Sequence, residues 1–348
     1  VLLVPLAIGM ALLLTTFLVA ESLREQQSVA ATRARINTAV HEAFDLAISR
    51  DSDKLGATLK AITHNDSIRS AFVGGERNTL LRATQGLFAG LLRDHNITHF
   101  YFIGTDRRMF LRVQRPGSHG DIVERTTLMR AAETGQTAAG LELGQRGLFT
   151  LRVVEPWRDM NGVLLGYIEL GMEIDHTLTQ LHELTGVDLY LLVDKRHLDR
   201  PQWESGMEML GDAKNWDLLP DRVVAGRTRR ASDLLLLAHP GASRGGTALD
   251  GQHRVTADDR SVEFGSLPLT DAAGRSVGTV LLAHDITALE ARQQLILTIV
   301  ITTTLFVAAA MLLLANRVLD RTYSAMVHAR RARAPLQESA RKDSPTPH

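Results

Sequence analysis

Charge is absent from two long stretches of this chain, and their spacing constrains everything between them. Residues 1–20 (VLLVPLAIGMALLLTTFLVA) and 295–316 (LILTIVITTTLFVAAAMLLLAN) contain no Lys, Arg, Asp or Glu. At about 1.5 Å rise per residue, roughly 20 apolar residues cross the hydrocarbon core of a bilayer. The first run is longer than the apolar part of an ordinary signal peptide and leads straight into a helical pattern, so it reads as a retained anchor. Between the two runs lie 274 residues. The whole chain has 39 basic and 39 acidic side chains, but the balance conceals a split: after Asn316 there are seven Lys/Arg and three acids. A Lys/Arg excess beside a span marks the cytoplasmic side. Two spans then put both termini in the cytoplasm and the middle region outside. The tail (317–348) reads as a short basic flank that can touch anionic headgroups, its last stretch, PLQESARKDSPTPH, unstructured.

The middle region holds four more acids than bases. That argues against a nucleic-acid partner, which needs a basic face. The chain has no Cys, which excludes disulfides, thiolate metal sites and a thiol nucleophile.

Hydrophobic period organises the middle. Residues 21–63 read as one long helix, with Ile36, Val40, Ala43, Phe44 and Ala47 on one stripe and Leu55, Leu59 and Ile62 continuing it. Such a helix reaches roughly 60 Å. Its narrow stripe needs a partner, and we expect a parallel homodimer through that face. A second helix is expected over 76–94. Then come strands 98–103 and 109–114, a short helix 124–133, and strands 138–143, 148–157 and 163–174. The last two join through Asp159-Met160-Asn161-Gly162, a strong hairpin signal. The second half repeats this with less clarity: helix 175–184, strand 187–193, helix 201–210, two ambiguous segments at 222–230 and 233–238, and strands 261–269 and 277–283. In both halves a turn glycine (Gly162, Gly274) is followed four residues later by another inside the strand (Gly166, Gly278). We read this as a structural repeat.

Three stretches carry a family resemblance: residues 99–121 (HFYFIGTDRRMFLRVQRPGSHGD); residues 140–174, with GQRGLFTLRVVEPW and LLGYIELGMEI; and residues 189–211 (LYLLVDKRHLDRPQWESGMEMLG). In residue type and order they resemble the double Cache sensory domains found outside bacterial receptors and sensor kinases. The resemblance covers residues 40–283. It implies an α+β fold: a long N-terminal helix, then two PAS-like Cache units with antiparallel sheets, flanked by two transmembrane helices. The segments are a span (1–20), the long helix (21–63), a membrane-distal first unit (64–174), a membrane-proximal second unit (175–285), a return helix with the second span (286–316) and the basic tail (317–348). It implies a sensor in the bacterial inner membrane with a periplasmic main domain. Only 32 residues follow Asn316, so the output domain or signalling partner is expected outside this chain.

Nothing here reads as an enzyme. H-E-x-x-H, G-x-S-x-G and P-loop signatures are absent. Asp51, Asp53 and the pair Asp258-Asp259 read as solvated. The pairs His95/His99 and His176/His182 lack a metal-ligand arrangement, and no cofactor is expected. The binding candidates are arginines in apolar context. Arg112 and Arg152 lie on strands, and Asp121 and Arg125 flank the loop that opens the short helix. A buried arginine must find a partner, and its planar fork of donors suits a carboxylate or phosphate. The alternative is internal pairing of Arg112 or Arg125 with Asp121 or Glu155. Tyr101, His119, Trp157 and Tyr167 are candidate pocket walls. Trp203, Trp216, Met207 and Met209 read as packing in the second unit.

The expected function is therefore a membrane-bound sensor of a small anionic ligand. The alternative is a ligand-free scaffold that docks a periplasmic or membrane signalling partner. The topology is testable. With no native Cys to compete, a Cys at Ser205 should react with an impermeant maleimide in whole cells whose outer membrane has been opened, and a Cys at Ser339 should not. The reverse pattern overturns the topology.

Overall fold

The computed structural model describes residues 3–144, 146–228, 231–239 and 253–342. The chain divides into two compact units, residues 34–287 and the two end segments 1–33 and 288–348. The larger unit contains two five-stranded antiparallel sheets.

The first sheet follows helices α1 (Leu3–Thr63), α2 (Asp66–Val73) and α3 (Arg77–His95). Its strands are β1 (His99–Ile103), β2 (Met109–Arg112), β3 (Ala138–Leu143), β4 (Phe149–Arg158) and β5 (Leu164–Glu173), with α4 (Thr126–Thr134) between β2 and β3. Their order in space is β2-β1-β5-β4-β3. The second half contributes α5 (Asp175–Thr185), β6 (Asp188–Asp194), α6 (Arg200–Leu210), β7 (Arg222–Arg227), α7 (Asp233–Ala238), β8 (His253–Ala257), β9 (Arg260–Thr270) and β10 (Ser276–Asp285). The order β7-β6-β10-β9-β8 is the same topology advanced by five strands. Helix α8 (Thr287–Lys342) follows.

Both sheets are covered on both faces, and the strand alternation shows it. In the first, Phe100, Phe102, Leu151, Val153, Ile168 and Leu170 face Leu55, Leu59 and Ile62 of α1, Phe72 of α2 and Leu80 and Phe88 of α3. The neighbouring positions Tyr101, Ile103, Val154 and Tyr167 face Leu128 and Ala131 of α4. In β6, Leu189, Leu191 and Val193 join one core with Val40 and Phe44, while Tyr190 and Leu192 join another with Leu235 and Phe264. Each fully buried side chain of this kind contributes about 1.5–3 kcal/mol of transfer free energy.

Several expectations change. The stripe Ile36, Val40, Ala43 and Phe44 packs on the second sheet of its own chain. That packing takes up these four residues of the expected dimer stripe within the chain itself. Residues 66–73 form a separate helix, α2, capped by Asn65, whose side chain accepts from the Ser67 and Ile68 amides. The ambiguous segments resolve as β7 and α7. Strand β8 went unread, because its turn, Asp258-Asp259, looks like a solvated acidic loop. Both residues have positive φ (57° and 55°), the geometry of a two-residue hairpin turn that matches strand twist. Helix α8 continues to Lys342, past where an unstructured end begins in the sequence reading. Trp203 is fully buried and packs edge-on to Trp216 at 5.5 Å. The Met209 side chain lies outside the described residues.

Among the described residues, one helical stretch, Thr287–Val327, is long and apolar enough to cross a membrane, with mean hydropathy 2.5. The first expected span lies in α1, and most of its side chains lie outside the described residues.

The repeat has a physical cause. Gly162 and Gly274 adopt φ of 82° and 78° in the two hairpin turns. A Cβ on Gly166 or Gly278 would stand closer than 3.0 Å to the carbonyl oxygen of Ile103 or Leu192 on the adjacent strand. Each sheet therefore needs a glycine where its central strand presses against a neighbour's carbonyl. Gly278→Ala should force β6 and β10 apart and cost roughly 1–3 kcal/mol. Gly56→Ala, in helix with open space around it, should instead stabilise by about 0.5–1 kcal/mol. Thermal melts of the two variants should move in opposite directions.

Candidate functional site

The side of the first sheet that faces α4 carries the polar cluster. Tyr101 pairs in register with Arg112 on β2 and with Glu169 on β5, and Arg152 on β4 pairs with Gly140 and Gly171. Strand alternation thus places Tyr101, Arg112, Arg152 and Glu169 on one face. Arg125 arrives from above, as the residue that caps α4.

Three guanidinium groups surround the Tyr101 ring. Those of Arg125, Arg112 and Arg152 stand 5.3, 5.6 and 5.8 Å from its centroid, within the range of cation–π attraction. Each is also met by a carboxylate. Glu169, with no exposed surface, accepts from Arg125 Nη2 and Arg152 Nη1, both at 2.5 Å. Burial pushes the Glu169 carboxyl up, but Arg125 and Arg152 outweigh it and hold it below the ordinary glutamate value. Arg152, 7% exposed, is disfavoured as a cation by burial, yet Glu169, Tyr101 and Glu142 keep it charged. Glu142 anchors α4: its Oε1 accepts from the Thr127 amide and hydroxyl at 2.7 and 2.9 Å. Its other oxygen lies 3.7 Å from Arg125 Nε and 3.6 Å from Arg152 Nε. None of these three buried atoms has a hydrogen-bond partner.

Arg112 is held differently. It makes a bidentate pair with Asp121, both contacts 2.7 Å, and Nη1 also donates to the Ser118 carbonyl and hydroxyl. Asp121 is 52% exposed, against 15% for Arg112. The loop from Arg115 to Asp121 is exposed throughout and folds back along β2, with Gly120 and Asp121 exchanging backbone bonds with Met109.

Of the predicted residues, the fold gathers Tyr101, Arg112, Asp121, Arg125 and Arg152. Tyr167 is on the same face but in the apolar patch with Val154 and Leu128. Two do not line the cluster. Trp157 lies on the opposite face, stacked on Phe72 at 5.3 Å with its indole N–H donating to Thr63 O. Its odd position on β4 puts it with Leu151 and Val153. His119 is exposed and hydrogen-bonded to Arg77 at 3.1 Å. Arg125 pairs with Glu169, while Glu155 bonds Thr137. Sequence reasoning missed Glu142, Glu169 and His99. The signal for Glu169 was present, since it is an acid two positions from Tyr167 inside an apolar strand. His99 meets Tyr101 edge-on at 5.6 Å. Burial first, then the charges of Arg152, Arg125 and Arg115, hold it well below the ordinary histidine value, so it is a neutral imidazole at neutral pH.

Residues 33–289 match the family described as the double sensory domain of two-component sensor kinases. The chain belongs to this double Cache family. Solved structures similar to it include the periplasmic domain of Vibrio cholerae LuxQ (12% identity, 72% of this chain and 99% of that one, TM-score 0.41). The sensor domain of the V. cholerae histidine kinase DctB (13%, 73% and 98%, 0.43) and the ligand-binding domain of the Campylobacter jejuni chemoreceptor Tlp3 with L-valine (10%, 74% and 93%, 0.38) are also similar. No curated protein matches the chain in sequence.

Glu169 supplies a pH test. Its carboxyl is depressed in the folded state, so its stabilisation is fully present above the ordinary glutamate value and is lost as pH falls through the folded value. Glu169→Gln leaves two arginines without their shared carboxylate and should cost about 3–5 kcal/mol at neutral pH. The penalty should shrink on acidification, because the parent loses the same charge. Melting temperatures measured from neutral to acid pH check this: a penalty independent of pH contradicts it.

Proposed function

We propose that this protein is a membrane-bound extracytoplasmic sensor whose first Cache unit binds a small carboxylate or phosphate compound beside Tyr101. The supporting observation is the convergence of three guanidinium groups on one tyrosine face, one of them closed by an exchangeable partner. The arginines are already matched by three carboxylates, Asp121, Glu142 and Glu169. An anion added to that balance must take the place of one of them. Glu169 is buried between two cations and Glu142 anchors α4. Asp121 is half in solvent on an exposed loop, so the ligand takes its place on the fork of Arg112. The Nε donors of Arg125 and Arg152 supply further hydrogen-bonding capacity.

A path for the signal starts at the same elements. The hairpin turn between β9 and β10 touches the first unit: the Ala272 amide donates to Leu141 O on β3 at 2.7 Å, and Arg130 on α4 donates to Ala272 O at 2.5 Å. Strand β10 leads directly into α8, with one residue, Ile286, between them. A shift of α4 or β3 thus reaches the return helix through one hairpin. Residues 1–20 and 295–316 are read as the two spans, and the output domain as belonging to a partner or to further sequence. The internal pairing of Arg125 and Arg152 favours a second reading, a ligand-free docking scaffold.

The full chain in lipid nanodiscs distinguishes them. A panel of small carboxylates and inorganic phosphate should include a compound that raises the melting temperature. Arg112→Ala should weaken its binding by more than about tenfold, the loss of a charge-assisted hydrogen bond worth about 1.5–3 kcal/mol. The Arg112→Ala fold should survive, since Asp121 is left in solvent. A panel with no effect, or binding indifferent to Arg112→Ala, favours the scaffold.

A further inference from the structure

Helix α1 buries a charge where it passes from one sheet to the other. Ile48 packs against both cores, with Phe44 before it in the second and Leu55 after it in the first. Between them Asp51, read from the sequence as solvated, is 1% exposed. Burial pushes its carboxyl up, but hydrogen bonds from Lys54 and His176 outweigh this and hold it below the ordinary aspartate value. Lys54 is one turn along the same helix. His176 comes from α5, the helix that joins β5 of the first sheet to β6 of the second.

His176 stands between two acceptors. Its Nδ1 lies 2.7 Å from the Glu173 carbonyl oxygen, and its Nε2 lies 3.0 Å from Asp51 Oδ2. A main-chain carbonyl has no proton to give, and neither has an ionised carboxylate. A neutral imidazole carries a single N–H, so it satisfies one of the two and turns a lone pair on the other. The imidazolium, with both nitrogens as donors, makes both bonds. The Thr177 hydroxyl, 3.5 Å from Nε2, is at the outer limit of a hydrogen bond and does not offset Asp51. The other charges nearby are mixed. On α1, Lys54 donates to Asp51 Oδ1 at 3.0 Å, and Arg50 stands 3.6 Å from the same oxygen while donating to Gln180 on α5. On the other side, Glu173 and Asp175 flank His176 on the chain, and Asp212 acts on Asp175 from the segment after α6. The His176 side chain is 17% exposed, so the ring exchanges protons with solvent.

We propose that His176 is a proton-dependent tie between α1 and α5. With a proton on each ring nitrogen it bonds Asp51 and the Glu173 carbonyl together, and with one proton it holds only one of them. The tie sits at the junction of the two sheets, so the pH of the surrounding solvent acts on that junction in the range where histidine titrates. A proton held more firmly by the folded chain than by the unfolded one stabilises the fold at lower pH, and that stabilisation is lost as pH rises. Leu178 and Leu181 of α5 share a core with Val40 and Phe44 of α1, so the helices stay packed in either state and the proton sets how firmly they are joined. The tie does not rest on the anion site, and its pH range lies above the acid range in which Glu169 loses its charge.

The test uses the full chain in nanodiscs and melting temperatures from about pH 5 to about pH 8. His176→Gln keeps a donor for Asp51 and removes the titration. The parent should exceed this variant most at the acid end, and the excess should shrink by about 2–4 °C as the pH rises. Other histidines titrate in both chains and cancel in the difference. In an Asp51→Asn background the same comparison should be flat, because an amide can either donate to Nε2 or accept from it. Asp51→Asn alone should remove the same part of the parent's pH dependence, which keeps the proposal testable if the double variant does not fold. A difference between parent and His176→Gln that does not change with pH overturns the proposal. So does a pH dependence that survives Asp51→Asn.

Discussion

The buried carboxylate of Glu169 is the constraint around which the first unit is arranged. A charge with no exposed surface is tolerable only if paired and hydrogen-bonded, because its desolvation costs several kcal/mol. Glu169 meets that condition with one oxygen for Arg125 and the other for Arg152. Those two arginines come from different elements, a helix cap and a strand. The pairing therefore fixes α4 over the sheet as well as neutralising charge. Glu142 repeats the logic at the helix start, where its carboxylate faces the positive end of α4 and accepts from Thr127. With α4 fixed twice, the least constrained part of the cluster is the loop that ends at Asp121.

The contrast between Arg112 and Arg152 gives the site its chemistry. Both are strand arginines beside the same tyrosine. Removing the partner of Arg152 strands a cation in the interior, whereas removing the partner of Arg112 exposes a fork at the mouth of the cluster. A ligand can shift a conformational balance only by binding one state better than the other. An anion on Arg112, as proposed, would do so by competing with a loop residue, which would make binding and loop release one event. The same loop contributes backbone bonds to Met109, which ties its release to the edge of the sheet.

Much of the fold was legible because both sheets follow simple periodicity. Alternation gave the strands of the first sheet within a residue or two, and the glycine spacing at Gly162/Gly166 and Gly274/Gly278 revealed the duplication. The failures have physical causes. The packing of Val40 and Phe44 within the chain was not read, because the residues that share their core, Leu189 and Val280, lie far away in sequence. The two-residue acidic turn at Asp258-Asp259 concealed β8. For the site, the strand arginines do converge on one cluster, and Arg112 pairs with the nearby Asp121 as the internal-pairing alternative had it, but the partner of Arg125 and Arg152 lies on another strand. Glu169 was overlooked because a lone acid in an apolar strand was not weighed as a buried charge. Trp157 was assigned to the pocket by residue type, although its parity on β4 places it with Leu151 and Val153.

The two units share a topology, and hydrogen bonds connect them. In the first, every charge of the cluster is balanced inside the protein, so an added anion would have to displace one of its carboxylates. The hairpin carrying Ala272 joins them, bonded to Leu141 and Arg130 in one unit and continuing as β10 in the other. Leu141 lies one residue from Glu142, and Arg130 is one turn along α4 from Thr127. A displacement of the helix that Glu142 anchors must therefore either move Ala272 or break two hydrogen bonds, and moving Ala272 displaces the strand that runs into α8.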